Sequence, residues 1–427
     1  MPSPSAALTP TKRNLIVAAW IVAGIVAGLQ AWGGLSRPLP DRLSDMQVYL
    51  GAVGDLWGGG SLYDFAAQNG AAPFTYPPFA GLVFAVLHWV PFTPMAVIWE
   101  ICTFAVVVGI AVVVARRAEI TFLDRRVLAP LLALVLFASA PISSNFRFGQ
   151  ISVFLVAAVL VDALQLASPR WRGIATGIAG AIKLTPMVFV PYYWFSGQRR
   201  TAIVSTITFV VCSGLGWLVL PGDSVRFWFT EIWDVNRVGN IATGGNQSLN
   251  GAMLRWGLPE GARTAAAVIG LIVVAVALYR ASLAYRQNRL LLAAVTVGAA
   301  GLVLSPVSWT HHQVWLVLGA LLVVGASRAL MIGWSVLVLL VMIVPVTSLG
   351  SALGDEVVLG NARLWLAVAL AAVVPAILRP AGNGTAPPAG RSGGSGHPSA
   401  VQEGASTLPQ RRTGAGPART RDRGVLP

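Results

Sequence analysis

Long apolar segments alternate with short polar ones along most of this chain. Residues 14–33, 201–220, 264–279 and 329–350 are rich in aliphatic side chains and contain no charged residue. A helix needs about 20 predominantly apolar residues to cross the hydrocarbon core of a bilayer, and most of these segments are close to that length. The pattern therefore predicts an all-α protein built from membrane-spanning helices.

Clusters of Lys and Arg occur between the apolar segments and predict the topology, because cytoplasmic loops are enriched in these residues. The clusters that we place in the cytoplasm are Lys12/Arg13, Arg116/Arg117 with Arg125/Arg126, Arg170/Arg172, Arg199/Arg200, Arg280/Arg286/Arg289, Arg328 and the C-terminal tail. The crossings directed outward are then near residues 14–33, 127–142, 201–220, 290–305 and 329–349. Those directed inward are near residues 95–115, 149–167, 264–285, 311–326 and 362–379. This topology predicts a multi-pass plasma-membrane protein with both termini in the cytoplasm.

Two apolar segments do not fit this alternation of full crossings. Residues 76–91 have Pro77-Pro78 at their start and end at Pro91, and residues 173–195 are interrupted by Pro186 and Pro191. Irregular backbone at membrane depth is tolerated only where protein shields it or where it lines a cavity. We therefore predict ten crossings with two broken or re-entrant helices around an internal cavity, and the alternative is twelve short crossings.

The overall composition excludes a water-soluble globule of this length. Hydrophobic residues make up 56% of the chain and charged residues 11%, whereas soluble domains contain about 25% charged residues. Part of the net charge of +14 lies in residues 380–427, a segment rich in Gly, Pro, Ser and Ala. We predict that this tail is disordered, cytoplasmic and attracted to anionic lipid headgroups rather than to nucleic acid. It follows a cytoplasmic N-terminus at residues 1–13 and a membrane domain at residues 14–379.

Acidic residues follow the first predicted crossing, in the segment Asp41-Arg-Leu-Ser-Asp45-Met-Gln-Val-Tyr49. Asp45 and Tyr49 share one face of a predicted amphipathic helix near the outer membrane surface. Capping of this helix is the alternative to a chemical role for Asp45, because Asp is a favoured N-cap residue. Asp55 is a further carboxylate of the same loop.

Amide side chains form two clusters in the predicted outer loops. Asn145, Arg147 and Gln150 lie in the first cluster, and Asn246 and Gln247 lie in the second. Amides both donate and accept hydrogen bonds, which suits sugar hydroxyls, and arginine suits a phosphate. A solvated turn for the first cluster and ordinary loop polarity for the second are the alternatives.

Two histidines and a lysine lie at the edges of apolar segments, where ionisable residues are functional candidates. His311 and His312 are adjacent, and Lys183 is one of only two lysines in the chain. Adjacent residues on a helix point about 100° apart, and no metal-ligand spacing accompanies the histidines. We predict that these side chains contact an anionic group rather than a metal. An interfacial polar belt for the histidines and snorkelling of the lysine are the alternatives.

These clusters resemble, in order and spacing, the polyprenol-phosphate-mannose-dependent α-(1→2)-mannosyltransferases of the membrane-embedded GT-C type, glycosyltransferase family 87. The matching segments are Asp45-Met-Gln-Val-Tyr49, Pro73-Phe-Thr-Tyr-Pro-Pro-Phe79, Ile142-Ser-Ser-Asn-Phe-Arg-Phe-Gly-Gln-Ile151, Lys183-Leu-Thr-Pro186, Asn246-Gln-Ser248 and Ser305-Pro-Val-Ser-Trp-Thr-His-His312. Each segment is short, but all six occur in the family order. Residues 237–243 are most similar to family members that add the fifth mannose to phosphatidylinositol mannosides, and lipomannan-branching members remain an alternative.

The resemblance implies a GT-C fold and a mannosyl-phosphoryl-polyprenol donor used on the periplasmic or extracellular side, without a metal or other cofactor. It implies a mannosylated lipid acceptor, either a phosphatidylinositol mannoside or lipomannan. An acidic residue of the first outer loop is the base in this family, and by position that role falls on Asp45. One of His311 and His312 is expected near the donor phosphate.

The remaining roles are inferred from charge and placement. Arg147 and Lys183 are assigned to the donor phosphate. The residues assigned to sugar or acceptor binding are Asn145, Gln150, Asn246, Gln247 and Tyr76. Two other functions stay open from the sequence: a GT-C transferase of another polyprenyl-phosphate sugar, such as arabinofuranose, and a flippase or transporter for a lipid-linked sugar.

Overall fold

The computed structural model describes residues 9–67, 73–120, 123–259, 261–325 and 327–374. All regular secondary structure within these ranges is helical. The α-helices in chain order are α1 Pro10–Leu35, α2 Ser44–Trp57, α3 Pro78–His88, α4 Phe92–Arg117, α5 Arg125–Ala138, α6 Ala140–Phe148, α7 Ser152–Ala163, α8 Ile174–Ile182, α9 Phe189–Phe195, α10 Arg199–Val219, α11 Pro221–Phe229, α12 Leu249–Arg255, α13 Ala262–Arg286, α14 Leu290–Leu304, α15 Val314–Leu318, α16 Arg328–Ile343, α17 Val346–Leu353 and α18 Ala362–Val368. The predicted disordered tail at residues 380–427 lies outside the described residues.

The apolar helices confirm an all-α, polytopic membrane protein. Four of them, α1, α4, α10 and α13, have 21 to 26 residues and are long and apolar enough to cross a bilayer. Two further candidates are bent pairs, in which α5 and α6 are bent by 61° and α16 and α17 by 73°. Shorter apolar helices are α3, α7, α14 and the segment Ala362–Val373, in which α18 continues as a π-helix. The total of ten to twelve crossings stays a prediction.

The predicted break within residues 173–195 is confirmed. Helix α8 ends at Ile182, and Lys183 adopts an extended backbone conformation with φ −151° and ψ 129°. A 3₁₀ turn at Thr185–Val188 then leads directly into α9. The other segment predicted to be broken or re-entrant, residues 76–91, contains the 11-residue helix α3, which begins with a proline as helices readily do. This helix has no internal break, and it is shorter than the roughly 20 residues of a full crossing.

The crossing predicted at residues 311–326 is not one continuous helix. It consists of a 3₁₀ turn at Thr310–His312, then α15, and then a second 3₁₀ turn at Gly319–Leu321. Trp334 of α16 donates from Nε1 to the Gly319 carbonyl at 2.8 Å. Side-chain donors of this kind replace the missing helical hydrogen bonds, which explains how the irregular backbone is tolerated.

Polar contacts gather the arginine-rich loops at one end of the bundle. Arg289, which precedes α14, forms an ion pair of 2.7 Å with Glu119, which follows α4. Gln165, which follows α7, contacts Gln198 at 3.4 Å and Tyr285 near the end of α13 at 3.0 Å. These loops are the ones that the arginine pattern assigns to a single side of the membrane.

Three helices connect this arginine-rich end to the opposite end of the bundle. Helix α14 begins after Arg289 and ends before Ser305, α7 runs from near Gln150 to near Gln165, and α8 ends before Lys183. At about 1.5 Å rise per residue, α14 spans roughly 22 Å. Polar residues at the far ends of these helices are therefore separated from the arginine-rich loops by much of a hydrocarbon core about 30 Å thick.

Candidate active site

A cavity of about 540 Å³ opens at the end of the bundle opposite the arginine-rich loops. It is formed by α2, the segment before α3, the turn between α6 and α7, the break after α8, and the loop that follows α14. Six of the ten site residues proposed from the sequence line it: Asp45, Tyr76, Gln150, Lys183, His311 and His312. Residues far apart in sequence thus meet in one polar space.

The turn between α6 and α7 brings Gln150 against α2. Gly149 occupies this turn in the left-handed region, with φ +64°, which glycine adopts without strain. A Cβ at Gly149 would lie 2.8 Å from the Cβ of Met46 and 3.0 Å from that of Leu43. Glycine therefore permits the close approach that places Asp45 beside Gln150.

Asp45 is held by a short hydrogen-bond network. Its Oδ2 accepts a hydrogen bond from Nε2 of Gln150. The Oε1 atom of Gln150 accepts from the hydroxyl of Tyr49 at 3.2 Å and from that of Tyr76 at 3.4 Å, and the two hydroxyls are 3.0 Å apart. The two hydroxyl donors orient the Gln150 amide, so that its NH₂ group faces the carboxylate.

The environment of Asp45 suits a proton acceptor better than a helix cap. Burial raises the pKa of Asp45 to about 6, while the Gln150 hydrogen bond and the charge of Lys183 limit the rise. A pKa near the operating pH favours general-base catalysis. The capping hypothesis is wrong, because Leu43 is the N-cap residue of α2 and α2 has no side-chain cap. Asp55 is exposed and does not line the cavity.

Lys183 and His312 form a pair on the cavity wall. The Nζ atom of Lys183 lies 2.6 Å from Nε2 of His312 and 5.1 Å from the centre of the Tyr76 ring. The other ring nitrogen of His312, Nδ1, accepts from the backbone N–H of Trp309 at 3.1 Å. Burial lowers the pKa of Lys183 to about 8, and Asp45 opposes this change. The pair can offer hydrogen-bond donors to an anion that enters the cavity.

His311 is buried behind this pair and is positioned by Asn145. The Nδ1 atom of His311 lies 3.5 Å from Oγ of Ser144. Asn145 Nδ2 donates to the carbonyls of Pro141 at 2.8 Å and His311 at 3.2 Å, and its Oδ1 accepts from the Val153 N–H at 3.2 Å. Asn145 does not line the cavity. Its predicted contact with sugar is corrected to a positioning role, since protein groups occupy its amide.

Arg147 lies outside the cavity. Its side chain is exposed, and its guanidinium carbon is 5.0 Å from the centre of the Phe148 ring. A residue two positions after Asn145 on a helix is rotated by about 200° from it, so Arg147 points away from the surface that Asn145 buries. The structure does not bring Arg147 to Lys183 and His312, as its predicted contact with the donor phosphate requires.

The amides of the loop between α11 and α12 are buried connectors. Asn246 Oδ1 accepts from the backbone N–H of Ser308 at 2.8 Å. Gln247 Nε2 donates to the Gly360 carbonyl at 2.8 Å, and its Oε1 accepts from the Leu364 N–H at 3.2 Å. Neither side chain lines the cavity, so their predicted contacts with sugar are corrected. They tie this loop to the loop that follows α14 and to α18.

The segment after α11 contributes a part of the cavity wall that the sequence did not indicate. Glu231, Asp234 and Arg237 line this part. Glu231 forms ion pairs with Arg226 at 2.6 Å and with Arg237, and Arg226 also pairs with Asp64 at 2.5 Å. In the sequence, the mixture of acidic and basic residues in this segment was the one feature that could have indicated a role. Such a mixture is equally typical of a solvated loop, so it does not predict a cavity wall.

A narrow apolar groove of about 50 Å³ adjoins the cavity. It shares Lys183 and His312 with the cavity and extends between α7, α14 and α9. Its apolar lining includes Leu155, Val156, Phe189, Leu302 and Trp315. A Cβ at Gly298 would lie 2.2 Å from the Trp315 ring, so glycine lets the indole lie directly against α14.

No group of three or more His, Cys, Asp or Glu side chains in the described part of the chain is placed to hold a metal ion. On the side of the cavity where Lys183 and His312 lie, the ionisable groups are the Asp45 carboxylate, the lysine amine and the imidazoles, while Glu231 and Asp234 lie on the wall formed by the segment after α11. The expectation of a metal-free site stays a prediction.

Comparison with known proteins decides the family. The sequence profile of glycosyltransferase family 87 matches residues 74–306, which is more than half of the chain. The chain belongs to glycosyltransferase family 87. This result confirms the resemblance carried by the six sequence segments. Gln150 and Lys183 fall inside the matched range, whereas Asp45 and His312 fall outside it, so their proposed roles depend on the cavity geometry.

Curated relatives match this chain over most of their own length. A polyprenol-phosphate-mannose-dependent alpha-(1-2)-phosphatidylinositol mannoside mannosyltransferase of Mycobacterium tuberculosis is 33% identical over 341 residues, covering 76% of this chain and 78% of that protein. A polyprenol-phosphate-mannose-dependent alpha-(1-2)-phosphatidylinositol pentamannoside mannosyltransferase of Mycolicibacterium smegmatis is 38% identical over 341 residues, covering 75% of this chain and 80% of that protein. No solved structure matches the chain.

Proposed function

We propose that this chain is a mannosyltransferase that uses mannosyl-phosphoryl-polyprenol as its donor. It attaches the mannose to the 2-hydroxyl of a mannosylated lipid and forms an α-1,2 bond with inversion at the anomeric carbon. The observation that carries this proposal is one cavity shared by Asp45 and the Lys183–His312 pair, which adjoins an apolar groove. The names of the relatives, which specify this donor and this linkage, support it.

Asp45 is the general base in this proposal. Its carboxylate accepts the proton of the acceptor 2-hydroxyl while that oxygen attacks the anomeric carbon of the donor mannose. The bond between this carbon and the phosphate oxygen breaks, and its electron pair leaves with polyprenyl phosphate. Gln150 positions the carboxylate and stabilises its charged form, since it donates to Oδ2.

Lys183 and His312 bind the phosphate of the donor. Negative charge grows on this group as the glycosidic bond breaks, and hydrogen-bond donors aimed at that charge stabilise the transition state. The isoprenoid chain lies in the adjoining apolar groove, where Leu155, Leu302 and Trp315 remove it from water. The groove begins at the same two residues. The phosphate and the isoprenoid chain of one lipid molecule can therefore occupy the cavity and the groove together.

The reaction takes place on the periplasmic or extracellular face of the plasma membrane. The arginine-rich loops lie at the end of the bundle away from the cavity, where Arg289 pairs with Glu119. Loops enriched in arginine remain in the cytoplasm. This distribution supports a cavity that opens on the outer face, where a lipid-linked sugar replaces a nucleotide sugar as donor.

The acceptor is a phosphatidylinositol mannoside. The sequence of residues 237–243 supports the branch of the family that adds the fifth mannose, and Arg237 and Val238 of this segment line the cavity. The relatives named above act on phosphatidylinositol mannoside and pentamannoside according to their names. Lipomannan is the alternative acceptor, and a panel of acceptors distinguishes the two.

A transfer assay tests the proposed function. The full chain, purified in detergent micelles, is given mannosyl-phosphoryl-polyprenol and a panel of phosphatidylinositol mannosides and lipomannan. We expect a product that carries one additional α-1,2-linked mannose, identified by mass spectrometry and NMR. Micelles have no two separated compartments, so a flippase or transporter would form no product.

The control for this assay is the Asp45→Asn variant, together with the wild-type chain in EDTA. We expect the variant to lose most of its turnover and EDTA to have no effect. No transfer of mannose to any acceptor by folded protein would overturn the proposal. Inhibition by EDTA that a divalent metal reverses would require a metal in the site.

A further inference from the structure

The hydrogen bonds of His312 determine where its proton lies. The backbone N–H of Trp309 is a donor only, and it points at Nδ1 of His312 at 3.1 Å. Nδ1 must therefore be the unprotonated nitrogen of the ring. A neutral imidazole carries one N–H, so the proton of His312 is on Nε2, the atom that faces Lys183.

The same argument determines the state of Lys183. Its Nζ atom is 2.6 Å from Nε2 of His312. An ammonium group has three donors and no acceptor, so it would oppose the Nε2–H group at this distance. The contact is a hydrogen bond only when Lys183 is a neutral amine that accepts from His312. Burial favours this state, because it disfavours the charged form of a lysine.

We propose that Lys183 takes up a proton when the phosphate of the donor binds. The amine releases its hydrogen bond from His312, becomes an ammonium group and donates to the phosphate, while Nε2–H of His312 turns from Lys183 to a phosphate oxygen. Two donors and one positive charge are then directed at the phosphate. The inference rests on the proposed function, since it assumes that this pair binds the donor.

The groups that face Lys183 do not supply this proton in the free protein. Asp45 on α2 acts on Lys183 through its charge, and Tyr76 presents its ring at 5.1 Å. His312 and His311 both come from the loop that follows α14, and no hydrogen bond joins His311 to Lys183 in the described part of the chain. The other charged residues that line the cavity are Glu231, Asp234 and Arg237 of the segment after α11. Above pH 8 Asp45, whose pKa burial raises to about 6, has no proton to give, so the proton comes from solvent.

A pH range follows from the ordinary rules of linkage. Burial lowers the pKa of Lys183 to about 8, and a bound phosphate raises it again. The neutral amine that accepts from His312 is therefore the main form of Lys183 only above pH 8. Below pH 8 the lysine already carries its proton and has lost this hydrogen bond, so donor binding takes up little. Above pH 8 binding requires the proton, and we expect donor affinity to fall about tenfold per pH unit.

Proton uptake is measured by isothermal titration calorimetry of the full chain in detergent, in buffers of different ionisation enthalpy at pH 7 and pH 9.5. The probe is a short-chain mannosyl-phosphoryl-prenol without acceptor, because this phosphodiester does not titrate in the range. We expect uptake of about one proton at pH 9.5 and almost none at pH 7, with an affinity about thirtyfold weaker at pH 9.5.

Two matched variants assign the proton. Arginine stays charged throughout this range, so Lys183→Arg should bind the probe without proton uptake at either pH. Lys12→Arg, the same change at the other lysine of the chain, should behave as wild type. Uptake of a proton by Lys183→Arg at pH 9.5 would overturn the inference.

The wild-type chain alone is decisive if Lys183→Arg does not fold. A wild-type chain that binds the probe and transfers mannose, but shows no proton uptake and a constant affinity between pH 7 and 9.5, overturns this inference and leaves the proposed function intact. A chain that neither binds the probe nor transfers mannose overturns both.

Discussion

Gln150 and Gln247 are both buried amides in polar segments outside the main apolar helices, yet they serve different purposes. Gln150 lines the cavity and donates to a carboxylate that itself faces open space. Gln247 is bonded to the Gly360 carbonyl and the Leu364 N–H, and it lines no cavity. An amide whose partner faces a cavity can act on a ligand, whereas one bonded only to backbone holds loops together.

The surroundings of Gln150 and Gln247 differ in the same way. Around Gln150, ionisable groups such as Asp45 and Lys183 are concentrated, and burial shifts their pKa values toward neutrality. Around Gln247 the contacts are neutral hydrogen bonds between protein groups. Substitutions in the first region should therefore change chemistry, and substitutions in the second should change stability.

The largest effect is expected at Asp45. Asp45→Asn keeps the size of the side chain and its position on α2, but an amide cannot accept the acceptor proton. We expect kcat for mannose transfer to fall by about 10²–10⁴-fold, with unchanged expression and melting temperature. The exposed Asp55→Asn is the matched control and should stay within about twofold of wild type. Near wild-type turnover by Asp45→Asn would place the base elsewhere.

A smaller effect, visible in the pH profile, is expected at Gln150. The carboxylate of Asp45 is the active form of the base, so activity should rise with pH through the pKa of about 6. Gln150→Leu removes a hydrogen bond that stabilises this carboxylate. A bond to a charged group contributes about 1.5–3 kcal/mol, so the acid limb of kcat/KM should move up by about one to two pH units. An acid limb at the same pH as in the wild type would contradict the proposal that Gln150 stabilises the Asp45 carboxylate.

Gln247→Leu makes the same substitution in the other region and should leave the acid limb in place. It leaves the buried Gly360 carbonyl and Leu364 N–H without partners, which costs about 1–3 kcal/mol for each unsatisfied group. We expect a lower melting temperature in detergent, while kcat/KM per folded molecule stays close to wild type. A selective loss of acceptor binding at normal stability would show instead that Gln247 contacts sugar.

The smallest effect is expected at Arg147. Its side chain is exposed and packs on Phe148, away from the cavity. Arg147→Gln should therefore leave the KM for mannosyl-phosphoryl-polyprenol within about twofold of wild type. Lys183→Met is the positive comparison and should raise this KM. A similarly large rise for Arg147→Gln would support the phosphate contact that the sequence predicted.

The sequence was sufficient for the family, and it drew attention to the ionisable residues that lie in an apolar setting. Asp45, Lys183 and His312 stood out because charged and imidazole groups are rare beside long apolar segments, where desolvation restricts them to functional or paired positions. Sequence alone was less informative for amides. Asn145 and Asn246 have the same chemistry as Gln150, and the direction of each side chain depends on packing that no local pattern encodes.

What the sequence determined by itself is that the chain is an all-α, multi-pass membrane protein, because the thickness of the hydrocarbon core requires long apolar segments. Only the tertiary structure decided which polar residues share one space. The contact between Lys183 and His312 joins residues 129 positions apart, and it depends on the break after α8 and on the loop after α14. Such a contact arises from the packing of whole helices, so it leaves no signal in either segment alone.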